Sequence, residues 1–162
     1  MKSNTHPFGI HASDANDGEL KSRLKQISPQ LLKTGTKLWR EALKARKNAY
    51  APYSKYKVGA ALVDKRGRLV RGTNVESCNF SSICAERVAI LKAASEGLRD
   101  FSMIAIAVTT PGKVAPCAAC LQQMAEFCHP DFLIWVGTTK SLTTVYTFGE
   151  LLAVPFTPRD LR

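Results

Sequence analysis

The chain contains no uncharged apolar run approaching the roughly 20 residues that a membrane helix requires, so no spanning segment is expected. Its opening, MKSNTHPFGIHASDANDGEL, lacks the continuous apolar stretch of a secretory signal, which makes a cytoplasmic enzyme the default expectation. Internal repeats and low-complexity tracts are absent too. Acid is scarce in one part of the chain: residues 21–71 hold two acids, Glu41 and Asp64, against fifteen Lys/Arg, a net of +13. The remainder carries eight basic residues against eleven acids, a net of −3. A basic segment can attract nucleic acid or a phosphorylated ligand. No aromatics are interleaved there as stacking platforms, and the simpler reading is a solvated helix face plus a basic hairpin. An even cysteine count is also missing. Five cysteines without a signal peptide favour reduced thiols or metal ligands over a disulfide framework.

What is present fits one domain. A chain of 162 residues, 45% hydrophobic and 22% charged, can bury a single core and is not disordered in bulk. Residues 1–27 are polar and without periodicity and are expected to form a flexible extension; residues 28–162 form the domain. From Leu31, apolar residues recur at helical spacing through Leu38, Trp39, Ala42, Leu43 and Ala49, predicting a helix that ends before Pro52. KVGAALVDKRGRLVRGTNV reads as a hairpin turning at Lys65, Arg66 and Gly67. A helix over 83–97, a buried strand in SMIAIAVTT, a helix in CAACLQQMAEFC and a strand in DFLIWVGTT follow. VYTFGELLAVPF adds a short strand and a helical turn. Alternating strands and helices imply an α/β domain with helices on both faces of the sheet.

Two short stretches carry the chemistry. SSICAERVAI sets Cys84, Glu86 and Arg87 at the start of a helix, and VAPCAACLQQ sets Cys117 and Cys120 at the start of another. A lone CxxC serves redox as well as zinc sites; with Cys84 added, a three-thiolate zinc site explains more of the pattern. Three protein ligands with an open position mark a catalytic zinc, whereas structural sites close with four. Cys78, Cys128 and His129 are the candidates for a fourth ligand. Glu86 could be a first-turn acid favoured by the helix dipole. Beside a metal that acidifies its bound water, it is better read as a proton carrier. Three thiolates on Zn2+ leave a net −1, which two helix N-termini and the Arg87 guanidinium, hydrogen-bonded to the sulfurs, would offset.

A Cys/His-x-Glu followed by Pro-Cys-x-x-Cys is the signature of zinc nucleoside and nucleobase deaminases. The sequence resembles the cytidine deaminase family from EALKARKNAYAPYSKYKVGAAL through GTNVESCNFSSICAERVAILKAASEG and PCAAC to ELLAVPFTPRDL, over about residues 41–162. The resemblance implies a three-layer α/β/α fold with a central mixed sheet of about five strands. It implies that Cys84, Cys117 and Cys120 bind Zn2+ and that Glu86 shuttles protons while cytidine or 2'-deoxycytidine becomes uridine or 2'-deoxyuridine plus ammonia, a step of pyrimidine salvage. Asn74 and Glu76 match ribose-hydroxyl ligands, and the backbone N–H of Ala85 would hold the pyrimidine O2. Tyr56 matches a Phe that contacts the base, and Phe156 an aromatic lent to a neighbouring subunit in a homotetramer. Three positions depart from the pattern: the Glu76–Cys84 loop is one residue shorter, Ala118 replaces Gly, and Leu121 replaces Arg. The alternatives are a deaminase of a modified cytosine nucleoside, as in blasticidin deaminases, or one acting on single-stranded nucleic acid.

Overall fold

The structure, a computed structural model, describes residues 24–109 and 114–161. The expected N-terminal extension lies, through residue 23, outside the described residues; Leu24 and Ile27 pack against the core.

Helix α1 (Pro29–Arg46) starts where Ser28 caps it, its hydroxyl accepting from Leu31 N at 3.4 Å, with Pro29 in the first turn. Gly35, Leu38, Trp39, Ala42 and Ala45 form its buried stripe at three- and four-residue spacing. The helix stops at Arg46, short of the expected limit at Pro52. The chain leaves because Tyr50 pairs elsewhere: its N–H donates to Asn74 O at 3.1 Å and its carbonyl accepts from Glu76 N at 2.9 Å.

The hairpin forms as expected, from β1 (Gly59–Asp64) and β2 (Leu69–Thr73). Its turn is built on buried Asp64, whose carboxylate accepts from the backbone of Arg66 and Arg68 and from Arg68 Nε, while Gly67 takes a positive φ of 82°. Then come α2 (Ala85–Ser95), β3 (Phe101–Ala107), α3 (Ala118–Met124), β4 (Leu133–Gly137), β5 (Leu142–Thr147), the short α4 (Phe148–Leu151) and a 3-10 turn (Pro158–Leu161). The strands make one five-stranded sheet in the order β2-β1-β3-β4-β5. Only β3 and β4 run parallel; the other neighbours are antiparallel, so the sheet is mixed. Helix α3 is shorter than the expected 117–128; beyond it Phe127 packs on Phe101, the rings tilted with centroids 5.4 Å apart.

Alternation along each strand divides the core in two. One face sends Ala60, Leu62, Ile104, Ile106, Ile134 and Val136 against Ala85, Ala89, Ile90 and Ala93 of α2 and Leu121 and Met124 of α3. The other sends Ala61, Met103, Ala105, Trp135 and Val145 against Leu38, Trp39 and Ala42 of α1. The result is the three-layer α/β/α arrangement. Glycine sets the contact distance on each side. A Cβ at Gly72 would lie 2.3 Å from Ala85 O, and one at Gly59 would lie 2.1 Å from Ala42 O, so α2 and α1 sit directly on bare backbone. Among the described residues no helix is long and apolar enough to cross a membrane.

Candidate active site

Helix α2 reaches the site through the stretch before it. Val75 and Ile83 exchange two backbone hydrogen bonds, at 3.0 and 2.9 Å, so Cys84 follows a short antiparallel bridge. Cys84 is then the N-cap of α2 and Cys117 the N-cap of α3, both with extended backbone and neither with a side-chain cap bond. Two helix N-termini, each carrying partial positive charge, therefore converge on sulfur. Cys120, one turn into α3, is fully buried and completes the group.

The Cys84 and Cys117 sulfurs are 3.7 Å apart and those of Cys117 and Cys120 are 3.4 Å apart. Three thiolates at about 2.3 Å from one tetrahedral Zn2+ would stand about 3.8 Å from each other, so the trio fits the ion. Cys78, Cys128 and His129 do not join it: all the ligand atoms of the group belong to Cys84, Cys117 and Cys120. Cys78 is exposed in the loop, and burial pushes the Cys128 thiol up to about 12. His129 lies beside Asp131 at 2.8 Å. The closed four-ligand reading thus has no fourth side chain among the described residues.

The hydrogen bond from Cys120, and then that from Cys117, lowers the Cys84 thiol to about 6, with the Arg87 charge assisting. The Cys120 thiol moves upward, through its bond to Cys84 and through burial. Arg87 acts here by charge alone: among the described residues its guanidinium makes no hydrogen bond to a sulfur, contrary to expectation, and it lines a groove with Gln122, Gln123 and Glu126 instead. Glu86, in the first turn of α2, is 6% exposed. Burial pushes its carboxyl up to about 7, and the Cys84 charge adds to the rise.

Glu86 stands in the wall of a cavity of about 220 Å³ with Tyr56, Asn74, Cys84, Ala85 and Cys117. The remaining walls are Val58, Ile106, Val108, Val114 and Ala115. These apolar walls escaped the sequence reading; the apolar continuation of β3 past Ala107 into Val108 was the one available signal. Asn74 Oδ1 accepts from Val58 N at 2.8 Å and its Nδ2 donates to Tyr56 O at 2.8 Å. Glu76 lies just outside, accepting from Tyr53 N at 2.9 Å, Ser54 N at 3.2 Å and the Ser54 hydroxyl. That hydroxyl bond, with the two backbone donors, holds the Glu76 carboxyl below the ordinary range. Phe156 does not line the cavity; it is exposed, and its carbonyl accepts from Gln122 Nε2 at 2.7 Å. The structure therefore brings together Tyr56, Asn74, Cys84, Ala85, Glu86, Cys117 and Cys120, with Glu76 beside them and Phe156 apart.

Comparison with known proteins points the same way. The family model of the cytidine and deoxycytidylate deaminase zinc-binding region matches residues 32–136, a span that includes all three clustered thiols and Glu86. A cytidine deaminase of Halalkalibacterium halodurans is 44% identical over 125 residues, 76% of this chain and 95% of the relative. One from Sporosarcina psychrophila is 42% identical over 126 residues, 77% and 93% of the two chains. The crystal structure of cytidine deaminase from Burkholderia pseudomallei matches with a TM-score of 0.71 at 37% identity, covering 80% of this chain and all of that one. With its thiol cluster and buried glutamate in the matched span, and its fold shared with that crystal structure, the chain belongs to the cytidine deaminase family.

Proposed function

We propose that residues 28–162 catalyse the hydrolytic deamination of cytidine and 2'-deoxycytidine, giving uridine or 2'-deoxyuridine and ammonia in pyrimidine salvage. The observation that carries this reading is a buried glutamate sharing one small cavity with two thiols of a zinc-fitting trio. At about 220 Å³ the cavity is below the ~300–1,000 Å³ of ordinary ligand pockets, which suits a small substrate.

Cys84, Cys117 and Cys120 would hold Zn2+, which when bound supplies Lewis-acid activation of a water as nucleophile. Glu86 takes a proton from the attacking water and delivers it to N3 of the pyrimidine; it then takes the remaining proton of the new C4 hydroxyl and passes it to the amino nitrogen, which leaves as ammonia as the C4 carbonyl forms. Burial, which raises the Glu86 carboxyl above the ordinary carboxylate range, favours its taking up a proton. The Ala85 N–H, at the first position of α2, would receive the pyrimidine O2. Tyr56 forms a wall against the base. Asn74 and Glu76 would receive the ribose hydroxyls. Both are half-satisfied by the 53–58 segment, which orients them while an amide donor and a carboxylate lone pair retain capacity for a ligand.

We extend the reading to a cytoplasmic homotetramer in which Phe156 enters a neighbour's pocket. Exposed apolar side chains support an assembly: Phe80 is 96% exposed and holds a positive φ of 64°, and Phe156 is 58% exposed. The test is ultraviolet-monitored turnover of cytidine, 2'-deoxycytidine and base- or sugar-modified analogues by zinc-loaded protein, with light scattering for mass. Turnover of the two natural nucleosides by a tetramer supports the proposal. Turnover confined to modified nucleosides or to single-stranded nucleic acid overturns it.

A further inference from the structure

The outer face of α1 is a line of cations. From Lys33 to Lys47 every exposed residue except Thr34 is basic: Lys33, Lys37, Arg40, Lys44 and Lys47. Steps of four, three, four and three residues keep them on one stripe of the helix, which spans about 21 Å at 1.5 Å per residue. Glu41 is the acid within this stretch and is already shared, with Lys44 Nζ at 2.6 Å and Arg71 Nε at 2.9 Å. Lys33, Lys37, Arg40 and Lys47 have no ion pair among the described residues. Other cations of the basic segment are used inwardly: Arg68 pairs with Asp64, and Arg46 donates to Lys57 O and the Thr109 hydroxyl.

The surroundings narrow the choice of partner. A second copy would bring an equally positive face and be repelled. The apolar stripe of α1 is buried against the sheet, so the helix has nothing to insert into a lipid surface. A single strand would want aromatic stacking platforms, and the stripe has none. A duplex asks only for cations: it presents one charge per about 1.7 Å of axis, so 21 Å of it offers about 12 phosphates.

We propose that the α1 stripe is a docking surface for the phosphate backbone of duplex nucleic acid, engaged without reading bases. Helix α1 lies across the sheet from Glu86, so docking leaves the cavity open. The inference does not depend on the proposed reaction.

The test is fluorescence anisotropy of a labelled duplex of about 20 base pairs with the full chain, as NaCl rises from about 50 to 200 mM. Five phosphate contacts predict a slope of log K against log salt near −4.5, a weakening of about 500-fold over that range. Lys33→Gln/Lys37→Gln/Arg40→Gln keeps good helix formers and should flatten the slope by about 2.7, at 0.9 per contact. An unchanged circular-dichroism melt would show the variant folded. No binding at low salt, an unaltered slope in the variant, or tighter binding to a single strand or to phosphatidylserine vesicles would each overturn the proposal.

Discussion

The two faces of the sheet are built by the same device and put to different uses. Each helix rests on a glycine of the hairpin, α1 on Gly59 and α2 on Gly72. On the α1 side the close approach seats large rings: the Trp135 ring lies where a Cβ at Gly35 would go, and Trp39 Nε1 donates to Thr138 O at 3.2 Å. The outer surface of that helix is left to cations. On the α2 side the buried helix residues are mostly alanines, and the helix end closes over a cavity instead of a packed core. A helix held by its middle, with its N-terminus free to meet another N-terminus, can concentrate thiolates and a carboxyl at one point. The α1 face holds the sheet together; the α2 face spends stability on a site.

The largest effect should come from the sulfurs. Cys120→Ala removes the fully buried member of the trio and should abolish metal retention and cytidine turnover together, measured by elemental analysis and ultraviolet assay. If metal stays bound, the α2 face is not the metal centre. Next is the cost of burying Glu86. The folded chain holds that proton up to about 7, against 4.5 for a free carboxyl, so its stability falls as pH rises from 4.5 through 7 and is level above. At about 1.4 kcal/mol per unit, Glu86→Gln should gain roughly 3 kcal/mol at pH 8 and nothing at pH 4. Denaturant melts in the presence of a chelator measure this, and an equal gain at both values would contradict it.

The glycines test the comparison itself. Gly59→Ala and Gly72→Ala should each cost about 1–3 kcal/mol through overpacking, read by thermal melts. Only Gly72→Ala should also cut turnover of the folded protein, by tenfold or more, because it displaces the turn that carries Glu86. Equal losses of activity would mean the faces are not independent. The smallest effect belongs to Glu41→Gln. Lys44, and then Arg71, lowers this carboxyl, so its contribution is present above 4.5 and lost as pH falls. As a surface ion pair it is worth within about 1 kcal/mol, and its removal should tighten duplex binding.

Much of the fold was legible in the sequence because local signals agreed with it. The apolar spacing from Leu31 marks α1, the turn at Lys65, Arg66 and Gly67 closes the hairpin, and Cys84 and Cys117 mark helix starts. Where the reading slipped, tertiary contacts had overridden periodicity. Tyr50 leaves the α1 pattern to pair with Asn74 and Glu76, and beyond α3 Phe127 packs on Phe101. The thiols and Glu86 were legible because their spacing is chemical. The apolar walls were not, since Val58, Ile106, Val108 and Val114 come from separate segments that only the folded sheet brings together. Arg87 was expected to hydrogen-bond the sulfurs, whereas among the described residues its charge alone reaches the Cys84 thiol.

The most direct test of the central claim is to measure metal content and cytidine turnover on the same preparation of Glu86→Gln. The account predicts one zinc per chain, as in the unaltered protein, with turnover reduced by about 10²–10⁴-fold, the usual worth of a positioned proton carrier. Turnover within a few fold of the unaltered protein, with zinc retained, would contradict it.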